Sequence, residues 1–132
     1  MMLTVENSKP YEDATEKNLE KALRGLRSYG PRSFACLADA DGSFIQVAGG
    51  LVTCMVEFKQ AGTGKLLRAF HDKPSTPFPD GTKLVFGGGE IELRNDEWFN
   101  IDQVIPLFSD FLNHGRRPES VDWRDAGLEV EN

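Results

Sequence analysis

Apolar positions recur along this chain with two different periods, and each change of period marks a change of element. Within Asp13 to Tyr29, Leu19, Ala22, Leu23 and Leu26 repeat at i, i+3, i+4 and i+7, which places them on one face of a helix. Asp13 followed by Glu16 supplies an N-terminal capping pattern, and Gly30-Pro31 supplies a stop.

From Ser33 the period falls to two. Phe34 and Cys36 share a face, and Asp41-Gly42 turns the chain into Phe44–Ala48, so a hairpin is predicted. After Gly49-Gly50, Leu51–Lys59 alternates, with Val52, Cys54, Val56 and Phe58 on one face and Thr53, Met55 and Glu57 on the other. That pattern predicts a half-buried antiparallel strand. Gln60–Gly64 turns into another strand, Lys65–His71. Asp72–Thr82, with Pro74, Pro77, Pro79 and Gly81, reads as an exposed loop. Lys83–Phe86 and Glu90–Leu93 read as two short strands around Gly87-Gly88-Gly89.

A second helix is predicted after Asn100, its stripe being Ile101, Val104, Ile105, Phe108, Phe111 and Leu112, with Gly115 as its end. Pro106 cannot donate to residue 102, so the regular helix is expected to begin near Asp102 or to kink. Glu119–Trp123 reads as a last strand. The order excludes repeated βαβ units. The fold expected is α+β, an antiparallel sheet of about five to seven strands packed against an N-terminal and a C-terminal helix. One domain over residues 1–132 is expected, with 1–10 and 125–132 loose.

Charge narrows the partner. Fifteen basic against 21 acidic residues leave a net charge of −6, which repels nucleic acid and anionic membranes and favours a basic protein surface. No apolar run reaches transmembrane length and Met1–Lys9 lacks a signal-peptide core, so a cytoplasmic location is expected. Cys36 and Cys54 lie in apolar runs and read as reduced packing residues.

Several segments have the outline of a chemical site without its requirements. Gly62-Thr63-Gly64-Lys65 lacks the spacing of a phosphate loop, and Leu66 stands where its hydroxyl would be. Gly87-Gly88-Gly89 opens no helix and is followed by Glu90, which opposes an anion. Asp39-Ala40-Asp41-Gly42 lacks the later bidentate Glu of a calcium loop. Cys36 or Cys54 with His71 and Asp72 would give a thiol, base and orienting carboxylate, but neither Cys follows a sharp glycine-rich turn. His114 suits a helix C-terminus, and the two Cys and two His lack zinc spacing. No catalytic residue, metal or cofactor is expected. The candidates for contact with a basic partner are Asp39, Asp41, Asp72, Asp80, Glu90, Glu92, Asp96 and Glu97, with Trp98 as an anchor if exposed.

The stretch Gly88-Gly89-Glu90-Ile91-Glu92-Leu93, then Asn100 leading to Val104-Ile105, Phe108 and Phe111-Leu112, then Gly115-Arg116-Arg117-Pro118 and Val121-Asp122-Trp123 resembles the C-terminal half of a bacterial immunity-protein family, the first described in polymorphic toxin systems. The likeness spans residues 88–123, and Pro106 departs from the family's unbroken helix. It implies a cytoplasmic antidote, without catalytic residues, that binds a toxin domain 1:1, a deaminase acting on nucleic acid among the options. The alternative is a small-ligand module or enzyme using a concave sheet face near Met55, His71 and Cys54.

Overall fold

The computed structural model describes residues 1–129, with side chains through residue 126. Its elements are β1 (Met2–Val5), α1 (Glu16–Arg24), β2 (Phe34–Ala38), β3 (Phe44–Gly50), β4 (Thr53–Lys59), β5 (Lys65–Phe70), β6 (Thr82–Phe86), β7 (Gly89–Leu93), a 3₁₀ turn (Asn95–Glu97), α2 (Ile101–His114) and β8 (Asp122–Glu129). Six strands form one antiparallel sheet in the order β1-β2-β3-β4-β5-β8, and β6-β7 is a separate hairpin. The fold is α+β, as the order of periods predicts.

Both helices cover one face of the sheet. Leu19, Leu23 and Leu26 meet Val104, Phe108 and Phe111 over Leu3, Leu37, Ile45, Val56 and Phe58, all buried. Phe58 lies edge-on to Phe111 at 5.5 Å and tilted against Trp123 at 5.9 Å. Each large apolar side chain buried there contributes about 1.5–3 kcal/mol.

The helix ends show which local signals won. Thr15, and not Asp13, caps α1: its Oγ1 accepts from the Asn18 amide and the Asn18 side chain accepts from the Thr15 amide. α1 stops at Gly25 and not at Gly30, because the next residues leave the axis to pack on the β3–β4 turn. α2 starts after the Asn100 cap and ends on left-handed Gly115, both as expected. Pro106 sits inside an α2 that already begins at Ile101. The carbonyl it cannot serve belongs to Asp102, an exposed residue, where water can replace the missing donor.

Three further expectations need correction. The first ten residues are not loose: Met2–Val5 is an edge strand, and Leu3 also exchanges two backbone hydrogen bonds with Tyr11. The last strand is Asp122–Glu129 and not Glu119–Trp123, so 125–129 pairs with β5, while residues 130–132 lie outside the described residues. β4 is buried on both faces. The β6-β7 hairpin lies on the face opposite the helices, where Leu84 and Leu93 pack on Ala48, Met55 and Trp98.

Candidate functional site

Register lines up polar side chains on the hairpin side of the sheet. Thr4 pairs with Cys36, Cys36 with Gln46, Gln46 with Glu57, Glu57 with Arg68, and Arg68 with Arg124, one row across all six strands. Gln46 Nε2 donates to Glu57 Oε1 at 2.9 Å, and Arg68 Nε and Nη2 donate to Glu57 Oε2 at 3.1 and 2.9 Å. Arg68 and Arg124 each approach Glu97 at 3.7 Å, and Arg124 Nη2 donates to Asp96 Oδ2 at 2.7 Å. The Arg124 guanidinium also sits 3.9 Å from the centre of the Phe70 ring. The Arg68, Glu57 and Glu97 side chains are only 12 %, 6 % and 3 % exposed. Ions this dry are sustained by one another, so the row rigidifies the sheet beneath the hairpin.

A second feature lies at the end of the sheet where β3 turns into β4. Gly50 abuts the backbone of Leu26 and Arg27, and Ser28 Oγ hydrogen-bonds Thr53 Oγ1 at 3.2 Å, which joins the α1 exit loop to the turn. Tyr29, Leu51 and Val52 all project from this tip, Tyr29 at 86 % exposure. Leu51 has φ +55, a left-handed conformation costly for a branched side chain. It is held there because its carbonyl accepts the Ile101 amide, at 2.7 Å, from the first turn of α2.

The acidic candidates do not converge. Glu97 and Trp98 are 2 % and 1 % exposed, so neither can meet a partner. Trp98 packs under the hairpin, edge-on to Phe78 at 4.9 Å. Asp96 is tied to Arg124. Asp39 and Asp41 bond amides within the β2–β3 turn, and Asp80 accepts the Asn95 amide. Glu90 and Glu92 remain exposed on β7, Glu90 paired with Lys83 at 3.2 Å, and Asp72 is exposed beyond the end of β5.

The thiol triad is not assembled. Cys36 faces the hairpin side and Cys54 the helix side. His71 stacks on Phe99 at 3.9 Å, and its Nε2 donates to the Trp98 carbonyl at 2.8 Å. Burial pushes the Cys36 thiol up to about 11 and the Cys54 thiol up to about 12, so both stay protonated at neutral pH. Native protein is therefore expected to resist iodoacetamide at pH 8 and to react in denaturant, which mass spectrometry reads directly. The unfolded thiols ionise near 9 and the folded ones only higher, so stability is fully present below pH 9 and falls as pH rises from 9 through 11 and 12. His114 bonds Asp110 Oδ1 at 2.8 Å at the end of α2.

Sequence reasoning missed the polar row and the tip. The signal for the row is a lone Glu in Thr53–Lys59 and a lone Arg in Lys65–Phe70, each among apolar neighbours. Among the described residues, no helix is long and apolar enough to cross a membrane. No protein-family model matches the chain, and no curated protein matches it significantly.

Proposed function

We propose that this chain acts by binding another protein, as a cytoplasmic immunity protein that neutralises a basic toxin domain in a 1:1 complex and catalyses nothing itself. The observation that carries the reading is the tip. An aromatic side chain 86 % exposed stands on the α1 exit loop, which Ser28 ties to a turn that carries two further exposed aliphatic residues and is held in a strained shape. Exposed apolar clusters on rigid supports suit protein contacts, and strained backbone concentrates where function holds it. The resemblance of residues 88–123 to an immunity family supports the toxin as partner, and the net charge of −6 suits a basic one.

Co-expression with the protein encoded by the neighbouring upstream gene tests this. A stable 1:1 complex is expected on size exclusion, and elution of the two proteins apart would refute the reading. Within that complex, Tyr29→Ala and Leu51→Gly are each expected to weaken affinity at least tenfold. Leu51→Gly should not lower the melting temperature, since glycine relieves about 1–2 kcal/mol of left-handed strain. Unchanged affinity in both variants would remove the tip from the interface. Glu90→Lys with Glu92→Lys is expected to slow association and flatten its salt dependence, while dissociation changes little; stopped-flow mixing at two ionic strengths measures both.

A further inference from the structure

Beneath the turn end of the hairpin, the polar row opens on a cavity of about 280 Å³. Phe34, Met55 and Phe86 supply apolar walls, and Cys36, Gln46 and Glu57 supply the polar end. Phe34 and Phe86 meet edge-on at 6.0 Å. This volume sits at the small end of ligand sites, and its lining, apolar with a few polar groups drawn together, is of the usual kind.

The polar end has acceptors to spare. Glu57 Oε2 takes two donors from Arg68, whereas Oε1 takes one from Gln46, so one of the carboxylate's roughly four lone-pair positions is open, on Oε1. With its Nε2 turned to that carboxylate, Gln46 leaves Oε1 with no donor among the described residues. Charge points the same way. Among the described residues, Glu57 is the one ionised group on the cavity wall. Leu84 and Leu93 anchor the base of the hairpin, while its turn is tied by the Gly87 amide donating to buried Ser33 Oγ at 2.7 Å, itself donating to Glu6 Oε1 at 2.6 Å.

We propose that this cavity binds a small organic monocation, a primary ammonium on a flat apolar body, with the ammonium on Glu57 Oε1 and Gln46 Oε1 and the body between Met55 and the Phe34–Phe86 pair. An ammonium has three donors and no acceptor, which suits two neighbouring acceptors, and its charge is opposite to that of Glu57. The proposal is independent of toxin neutralisation, and its test uses the chain alone.

The probes are phenethylamine and its uncharged counterpart 2-phenylethanol, titrated into ¹⁵N-labelled protein at neutral pH. Phenethylamine is expected to bind at least tenfold more tightly, shifting the Gln46 side-chain amide and the amides of Gly87, Gly88 and Gly89. Glu57→Gln should abolish that discrimination while leaving binding of the alcohol. Cys36→Phe, which fills the cavity and spares every ion pair, should abolish binding of both, and it decides the matter if Glu57→Gln does not fold. No binding of phenethylamine at millimolar concentration, equal affinity for the two probes, or shifts confined to another surface would overturn the proposal.

Discussion

Arg68→Ala is expected to lower stability by about 3–5 kcal/mol, because it leaves buried carboxylates without their counter-charge. Arg68 gives two hydrogen bonds to Glu57 Oε2 and a third contact to Glu97, and all three side chains are nearly dry. Chemical denaturation at neutral pH measures the loss. A double variant, Glu57→Leu with Arg68→Met, is expected to recover much of it, since exchanging a buried pair for apolar residues is often neutral. A double variant as unstable as Arg68→Ala would mean that the pair contributes more than mutual neutralisation.

Gly50→Ala is expected to be as damaging for a different reason. A Cβ on Gly50 would overlap the carbonyl of Leu26, which is main chain and cannot rotate aside. Overpacking against yielding side chains costs about 1–3 kcal/mol, and roughly 3 kcal/mol or more is expected here. The α1 exit loop and the β3–β4 turn must separate, so Tyr29 and Leu51 lose their common support and partner binding should fall with stability. Calorimetry on Gly50→Ala checks the first effect; an unchanged melting temperature would mean that the two segments do not meet as described.

How much of this was legible in the sequence depended on the range of the interaction. Caps and periods are local, so the α2 stripe, Asn100 and Gly115 were readable, and so was the alternation along β4. Competition between neighbouring signals misled where two candidates stood close. Thr15 caps α1 instead of Asp13 because its own turn geometry closes the capping box with Asn18. β1 escaped because four residues carry too short a pattern, and its burial depends on pairing with β2 thirty-odd residues away. The site was less legible still. A charged residue in an apolar strand shows that a partner exists, but the identity of that partner is a matter of register, which joins Glu57 to Arg68 and Arg68 to Arg124 only once six strands are aligned. Trp98 beside Asp96 and Glu97 looked like an exposed anchor because the hairpin that covers it is placed by tertiary packing.

The central claim, neutralisation of a toxin domain through the tip, is tested most directly by growth. Where the protein encoded by the neighbouring upstream gene kills the cells that express it, those cells are expected to survive with this chain and to lose that protection with Tyr29→Ala, although the variant folds with an unchanged melting temperature. Death of cells carrying the wild-type chain would contradict the immunity role, and full protection by Tyr29→Ala would move the interface away from the tip.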